Sequence, residues 1–262
     1  MDYQIEDKLA LVSVSTKGIG FAIVSGLARE GAQVIVNGRS EASVAAALER
    51  LKTAVPNAKA IGFAGDLADP KQIAVLVKRH PDIDILVNNL GIFDPKPFES
   101  IPDEDWQHFF DVNVMSGVRL SRAYLPGMKQ RNWGRVVFIS SESGIQIPVE
   151  MIHYGMTKTA QLAISRGLAE SCAGTGVTVN AVLPGPTSSE GVNEFVEKLS
   201  GGQSLHDFEV KFFKEARPSS LLKRFTTPEE VANLVTYVCS ALSSATTGAA
   251  LRVDGGVVRA AF

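Results

Sequence analysis

Short runs of β-branched and other apolar residues alternate along the chain with longer stretches whose apolar positions recur every three or four residues. Short apolar runs without regular polar alternation are typical of strands that are buried on both faces of a sheet. The pattern predicts seven strands, at residues 9–14, 33–37, 59–63, 83–87, 135–139, 177–182 and 250–253.

The segment between the first two strands shows the helical pattern most clearly. Ile19, Ala22, Ile23 and Leu27 recur at helical spacing, and Gly31 stands where such a helix would end. Strands that are each followed by a helix-length segment favour a parallel sheet with right-handed crossovers. The sequence therefore predicts an α/β fold, a doubly wound Rossmann-type parallel seven-stranded sheet with helices on both faces.

Residues 1–262 are expected to form a single domain, because no fixed repeat or Pro/Gly/Ser-rich linker divides them. Residues 188–224 interrupt the regular pattern. They contain Gly201-Gly202 and several phenylalanines among many charges, and they indicate short helices rather than another strand. Long insertions often cover binding sites, so we predict a substrate lid here. A pair of surface helices without that role is the alternative.

Composition removes several classes of function. The 262 residues carry 26 basic and 28 acidic side chains, and this balance gives no electropositive field for binding nucleic acid. The two cysteines, Cys172 and Cys239, form no CxxC motif, and the four histidines show no HxxH or HExxH spacing, so a metal-dependent hydrolase is disfavoured and no metal site is expected. The chain has no signal-peptide pattern and no membrane-spanning apolar run, so a cytoplasmic location without a membrane partner is expected.

A glycine-containing turn follows the first strand. Residues 15–20 read Ser-Thr-Lys-Gly-Ile-Gly and lead into the first predicted helix. Glycines allow backbone N–H groups to approach a pyrophosphate, and a helix N-terminus attracts negative charge. The turn is predicted to bind a dinucleotide, with a purely structural tight turn as the alternative.

The end of the second strand bears on the choice of dinucleotide. Proteins that bind NAD usually place a carboxylate there, but this chain has Asn37-Gly38-Arg39. The Arg39 guanidinium pairs well with a 2′-phosphate, and Lys17 is placed to reach the same charge. We therefore favour NADP(H) as the cofactor over NAD(H), the alternative being that both side chains are solvated surface cations.

Three side chains further along have the spacing of a catalytic group. Ser141 follows the fifth predicted strand, Tyr154 lies thirteen residues later and Lys158 four residues beyond that. Positions i and i+4 share one face of a helix, so the tyrosine and lysine are expected to point into one site. Ser141 is expected at the carboxyl edge of the sheet, where open α/β sheets bind ligands.

With these motifs the chain resembles the short-chain dehydrogenase/reductase family, in its single-domain branch, over nearly its whole length. Beyond Ser141, Tyr154 and Lys158, the matching residues are Gly18, Gly20, Asp66-Leu67, Asn88-Asn89-Leu90-Gly91, Asn113, Pro184-Gly185-Pro186-Thr187 and Val253-Asp254-Gly255-Gly256. The resemblance implies a nicotinamide-dependent oxidoreductase that interconverts a small carbonyl compound and an alcohol, and assembly as a homotetramer or homodimer.

The resemblance also implies a role for each matched residue. Tyr154 would be the general acid/base, Lys158 would lower the tyrosine pKa and hold the nicotinamide ribose, and Ser141 would donate a hydrogen bond to the substrate oxygen. Asn113 resembles the residue that holds a helix kink and a water beside the lysine. The expected cofactor-binding residues are Ser15, Lys17, Gly18, Ile19, Gly20, Arg39, Asp66 (adenine), Leu67, Asn89 (adenosine ribose), Gly91, Tyr154, Lys158, Pro184, Gly185 and Thr187 (carboxamide).

Two positions depart from the family pattern. Val14 replaces the first glycine of the phosphate turn, where a β-branched residue is unfavourable at positive φ, and Leu90 replaces a usual alanine. The valine motivates a rival hypothesis, a catalytically silent nucleotide-binding or sensing protein. Reduction of a 3-oxoacyl thioester is the alternative within the family.

The residues flanking the predicted site suggest a largely apolar carbonyl substrate. Among them, Glu142 and His153 are the polar exceptions. Each is expected either to orient a hydroxyl or amine of the substrate or to be a residue of the site's rim. His153 is the more prominent candidate because it adjoins Tyr154. The apolar members are Ile92, Phe93, Ile145, Ile147 and Met151.

Overall fold

The computed structural model describes residues 2–188 and 204–261. The described residues contain one parallel sheet of seven strands, in the order β3-β2-β1-β4-β5-β6-β7. Every strand expected from the sequence is confirmed, with ends that differ by no more than two residues. The strands are β1 Leu9–Val12, β2 Gln33–Gly38, β3 Lys59–Ala64, β4 Ile85–Asn88, β5 Gly134–Ile139, β6 Val177–Pro184 and β7 Ala250–Val253.

Helices cover both faces of this sheet. Successive strand residues point to opposite faces, and they enter two separate cores: Val12 and Val34 pack with α1 and α8, whereas Leu11 and Ile35 lie in the core that includes α3 and α5. The fold is therefore the expected doubly wound Rossmann-type α/β architecture. The helices are α1 Gly18–Arg29, α2 Glu41–Ala54, α3 Pro70–Arg79, α4 Asp103–Phe110, α5 Ser116–Gln130, α6 Ile152–Ser171, α7 Leu205–Glu215 and α8 Pro228–Val238.

The strand order places a crevice beside β1. Chain order runs outward from β1 to β2 and β3 on one side and from β4 to β7 on the other, so the order reverses between β1 and β4. Loops leaving the carboxyl ends of these strands diverge to opposite faces, and ligands bind in the crevice that they leave.

A π-helical turn, Asp111–Met115, joins α4 to α5. Such turns widen a helix locally and redirect its main-chain carbonyls. Asn113 lies at the centre of this turn, which agrees with the helix irregularity expected at that position.

The expected lid is described only in part. Residues 189–203 lie outside the described residues. In the described part, α7 confirms one short helix, and residues 216–224 form turns and bends. Across the described ranges, none of the helices combines the length and apolar character needed to cross a membrane.

Candidate active site

A cavity of about 480 Å³ lies at the carboxyl edge of the sheet, where β4, β5 and β6 end. Helix α6, helix α7 and the segment after α7 complete its walls. The predicted site residues that line it are Ile19, Asn89, Gly91, Ser141, Tyr154, Lys158, Pro184, Gly185 and Thr187. The predicted residues outside its lining are Ser15, Lys17, Gly18, Gly20, Arg39, Asp66, Leu67 and Asn113. The serine, tyrosine and lysine therefore converge on one cavity, as expected.

Lys158 is held beneath this cavity by acceptors from two elements. Its side chain is 4% exposed, and Nζ donates to the main-chain oxygen of Ile139 at 2.9 Å and to Oε1 of Gln161 at 3.3 Å. It lies 5.6 Å from the centre of the Tyr154 ring, on the same helix face. Burial lowers the pKa of Lys158 to about 8, because desolvation disfavours its charged form.

Tyr154 has a pKa above its ordinary value of about 10, which differs from the expectation that Lys158 lowers it. Burial is the largest cause, and the nearby charge of Glu142 adds to it. A hydrogen bond with Ser141 and the charge of Arg217 act in the opposite direction. In this environment the phenol is protonated at neutral pH, which is the form that donates a proton.

Ser141 lies two residues after the end of β5 and caps the short 3-10 turn Glu142–Gly144. The strand end and this turn together fix its position. Its hydroxyl donates to Oε2 of Glu142 at 2.5 Å, and the same oxygen accepts from Oγ of Ser143 at 2.8 Å. Because a serine has only one hydroxyl proton, Ser141 must release Glu142 before it can donate to a substrate oxygen. The Ser143 donor leaves Oε2 satisfied when that happens.

Asn113 lies outside the cavity lining and holds two neighbouring segments together by hydrogen bonds. Its side chain pairs with the main chain of Ile92, accepting from N at 2.8 Å and donating to O at 3.0 Å, and it also donates to Oγ1 of Thr157 at 3.0 Å. Gln161 then links this residue to the lysine, since its Nε2 donates to the Asn113 carbonyl at 2.6 Å while its Oε1 accepts from Lys158. The sequence analysis missed Gln161, although its position three residues after Lys158 on one helix face was a usable signal.

Residues 13–20, the phosphate turn, contain the strained residue that was expected from the sequence. Val14 has φ of 51°, the left-handed region that glycine usually occupies. Two asparagines hold it there: Val14 N donates to Oδ1 of Asn37 at 2.9 Å, and Nδ2 of Asn89 donates to Val14 O at 2.9 Å. The turn thus retains the left-handed conformation in spite of the valine.

The remaining predicted cofactor residues surround the adjoining strand ends. Arg39 is exposed directly after β2, and Lys17 is exposed at the start of α1, whose first turn carries no acidic residue. Asp66 is exposed after β3, where its carboxylate accepts from Ala68 N at 2.9 Å. The side chain of Leu67 is fully buried in the core, so only its main chain is placed to meet a cofactor, and its part in binding stays a prediction.

The end of β6 is tied to the segment after α7. Thr187 Oγ1 donates to the Gly185 carbonyl at 2.9 Å and lies 3.0 Å from Oγ1 of Thr226. The main chains of the two threonines also form a bridge. This connection positions the cavity wall that Pro184, Gly185 and Thr187 provide.

His153 does not fulfil its expected role at the cavity. It is fully buried and points instead toward Phe109 and Trp106, with ring-centroid separations of 4.1 and 5.9 Å. Neighbouring positions on a helix are rotated by about 100°, so adjacency to Tyr154 did not place it in the same site. Glu142, the other polar candidate, does line the cavity.

Arg217 is a further residue that the sequence analysis did not identify. It lies just after α7, is 8% exposed and lines the cavity, where it pairs with Glu142 and Glu150. Phe212 of α7 and Phe225 pack together at 5.2 Å on the same wall. In the described parts of the chain, no group of three or more His, Cys, Asp or Glu side chains is arranged to hold a metal ion.

Comparison with known proteins agrees with this geometry. Residues 14–258 match the family described as enoyl-(acyl carrier protein) reductase. The chain is 50% identical over 264 residues to YvaG of Bacillus subtilis (strain 168), described as an uncharacterized oxidoreductase, and the match covers 100% of each chain. The chain belongs to the short-chain dehydrogenase/reductase family.

Two further proteins similar to this short-chain dehydrogenase/reductase have names that state an activity. It is 34% identical over 261 residues to 3-oxoacyl-(acyl-carrier-protein) reductase FabG of Aquifex aeolicus (strain VF5), covering 98% of this chain and 100% of that one. The structure of L-sorbose reductase from Gluconobacter frateurii, complexed with NADPH and L-sorbose, superposes with a TM-score of 0.93 and 30% identity, covering 99% and 100% of the two chains. The chain is an oxidoreductase of this family.

The buried lysine predicts a pH-dependent stability. The unfolded chain keeps a proton on Lys158 up to about pH 10.5, whereas the folded chain keeps it only to about pH 8, so raising the pH across this interval favours the folded state. The free energy of unfolding of the wild type, minus that of Lys158→Met, should rise by about 2 kcal/mol between pH 8 and pH 10. Urea unfolding at several pH values measures this difference, and a flat or falling difference contradicts the burial effect.

Removal of the Val14 side chain predicts tighter cofactor binding. The strain of about 1–2 kcal/mol from its left-handed backbone is present with and without cofactor and cancels from the affinity. Its exposed side chain, however, adds bulk beside the turn where a pyrophosphate would approach, and Val14→Gly removes that bulk. We expect the variant to bind NADPH more tightly, by about 3-fold or more, as measured by fluorescence titration. Val75→Ala, at an exposed position of α3 away from the turn, serves as the control that shortens a valine elsewhere. Equal affinities of Val14→Gly and the wild type would contradict this prediction. They would show that the hydrogen bonds from Asn37 and Asn89 compensate fully for the valine.

Proposed function

We propose that the protein is an NADP(H)-dependent oxidoreductase that interconverts a carbonyl compound and a secondary alcohol by hydride transfer. The observation that carries this proposal is the convergence of Ser141, Tyr154 and Lys158 on one cavity at the carboxyl edge of the sheet. A catalytically silent binding protein has no chemical need for that arrangement.

The residues at the strand ends fit a dinucleotide. Helix α1 begins beside the crevice with Lys17 at its N-cap, Gly18 has φ of 57°, and the first turn carries no acidic side chain that would repel a pyrophosphate. The exposed Arg39 after β2 provides a guanidinium for a 2′-phosphate, which supports NADP(H) over NAD(H). The NADPH complex of L-sorbose reductase supports the same choice. A bound reduced nicotinamide supplies the hydride.

Tyr154 acts as the acid in carbonyl reduction. Its protonated phenol gives a proton to the substrate oxygen as negative charge develops there. Ser141 turns from Glu142 toward the same oxygen and donates a hydrogen bond, which stabilises the developing charge. Lys158 stands behind the phenol, held by Ile139 and Gln161, and its positive charge stabilises the tyrosinate that remains.

The described part of the expected lid, residues 204–224, covers this site within the single domain proposed for residues 1–262. Phe208 and Phe212 of this part line the cavity, as does Phe225 directly after it. Their rings exclude water from the reacting groups, which strengthens the electrostatic interactions there.

A 3-oxoacyl thioester reductase is the second candidate, favoured by the 34% identity to FabG over nearly the full chain. The carboxylates of Glu142 and Glu150 at the cavity act against it if the thioester is carried on an acidic carrier protein, because like charges repel.

Removal of the phenol hydroxyl tests the proposed chemistry. Tyr154→Phe deletes the proton donor and keeps the ring, so NADPH-dependent carbonyl reduction should fall at least 100-fold with the fold unchanged. Absorbance of NADPH at 340 nm measures turnover across a panel of ketones, and circular dichroism checks the fold. Tyr237→Phe is the matched control, because Tyr237 lies on the surface against Tyr3 and should retain wild-type turnover. Substantial turnover by Tyr154→Phe refutes the proposed mechanism.

A second substitution tests the cofactor choice. Arg39→Ala removes the guanidinium proposed for the 2′-phosphate, so KM for NADPH should rise by about 10-fold or more while KM for NADH changes little. Arg29→Ala is the control, since Arg29 is also exposed but lies at the opposite end of α1. Steady-state kinetics with both cofactors provide the comparison. An equal change for NADPH and NADH is incompatible with recognition of the 2′-phosphate by Arg39.

A further inference from the structure

Arg217 presents one unused edge of its guanidinium beside the cavity. Nε donates to Oε1 of Glu142 at 3.0 Å, while Nη1 donates to Oε1 of Glu150 at 3.0 Å and to the Ala216 carbonyl at 2.9 Å. These bonds occupy three of the five N–H groups. Nη2 makes no hydrogen bond to the described residues. It is also not among the fully buried side-chain atoms that lack a partner, so it retains some exposure to solvent. Two N–H donors of a largely buried side chain thus remain available to a ligand.

Glu150 places an acceptor beside these donors. Its Oε1 is paired with Arg217, and Oε2 has no partner among the described residues. The side chain is 43% exposed and lines the same cavity. A hydroxyl group is the ligand that accepts from an N–H and donates to a carboxylate at once.

The local charge disfavours an anionic ligand. One guanidinium faces two carboxylates, so Arg217, Glu142 and Glu150 together carry a formal charge of −1. Burial lowers the pKa of Arg217, but the charges and hydrogen bonds of the two carboxylates together raise it by more. The guanidinium is therefore positively charged, and the carboxylates balance that charge. A substrate carboxylate placed beside Arg217 would also lie against the unpaired Oε2 of Glu150 and be repelled by it, whereas a neutral oxygen would not.

The same group is joined to the reacting residues. Glu142 accepts from Arg217 through Oε1 and from Ser141 through Oε2. The Phe212 ring lies 5.7 Å from the guanidinium and forms an apolar wall beside it. The cavity therefore has the proton donor Tyr154 in one part and a polar pair with unused hydrogen-bonding capacity in another.

We infer that Arg217 and Glu150 form a subsite for a neutral hydroxyl group of the substrate, so that the preferred substrates are hydroxylated ketones or aldehydes rather than keto acids or unsubstituted ketones. This inference rests on the proposed carbonyl reduction and names its substrate class. It replaces the expectation of a largely apolar substrate with one that also carries a polar group.

A matched set of ketones tests the subsite. Pentan-2-one, its 1-, 3- and 4-hydroxy derivatives and 4-oxopentanoate share a reducible carbonyl and differ in the added group. With NADPH, the best hydroxylated member should exceed pentan-2-one in kcat/KM by about 10-fold, and 4-oxopentanoate should rank below it. Calorimetric titration of the same compounds into Tyr154→Phe with NADP⁺ measures binding without turnover, because NADP⁺ cannot reduce the ketones and the variant lacks the acid/base group needed to oxidise the hydroxyl derivatives.

Two variants assign the preference to the named residues. Arg217→Lys keeps a cation for Glu142 but removes the Nη2 donors, so the ratio of kcat/KM between the hydroxyketone and pentan-2-one should fall below about 3. Glu150→Gln removes one negative charge at a half-exposed position, so use of 4-oxopentanoate relative to pentan-2-one should rise by about 3-fold or more. Arg166→Lys, at a surface pair with Glu170 outside the cavity and outside the lid, is the control and should preserve every ratio.

The outcomes separate this inference from the proposed function. Turnover of all the ketones without a hydroxyl preference, or a preference that survives in Arg217→Lys, overturns the subsite and leaves carbonyl reduction standing. Tighter calorimetric binding of a hydroxyketone without any turnover supports the subsite and contradicts the proposed function. If Arg217→Lys does not fold, the change in anion use by Glu150→Gln decides the question, and an unchanged ratio there counts against the subsite.

Discussion

Burial of one ammonium group governs the arrangement of the candidate site. Lys158 has little contact with solvent, so its charge depends on the acceptors that β5 and its own helix provide. Those acceptors fix how α6 lies across the end of β5, and the direction of the Tyr154 side chain follows from that. The neighbouring Ser140 adds a second tie, since its hydroxyl donates to the main-chain oxygen of Lys158 at 2.8 Å.

The phosphate turn shows a second way of holding an unfavourable conformation. Both ends of the Asn37 side-chain amide are hydrogen-bonded. Its Nδ2 donates to the carbonyls of Phe63 and Gly65, and its Oδ1 accepts from Val14 N. It therefore joins the ends of β2 and β3 to the turn after β1. Strain in the backbone of one residue is offset by hydrogen bonds drawn from neighbouring strands.

The sequence was sufficient for the fold and for placing Tyr154 and Lys158 on one helix face, because both depend on local periodicity. Seven apolar runs and a tyrosine four residues before a lysine are visible without coordinates. The sequence was insufficient for contacts between distant segments. Arg217 lies 75 residues from Glu142, and nothing in its local pattern marks a buried arginine. His153 shows the opposite error, in which closeness along the chain was mistaken for closeness in space.

The ion pair between Arg217 and Glu142 joins a segment outside the sheet to the residue that follows Ser141. A buried charge left without its partner is strongly destabilising, so neither residue is free to change alone. Exchange of the segment around α7 with that of a relative, a common route to altered specificity, would here require position 142 to be exchanged as well. In this chain, a change of substrate preference through Arg217 therefore requires a compensating change at Glu142.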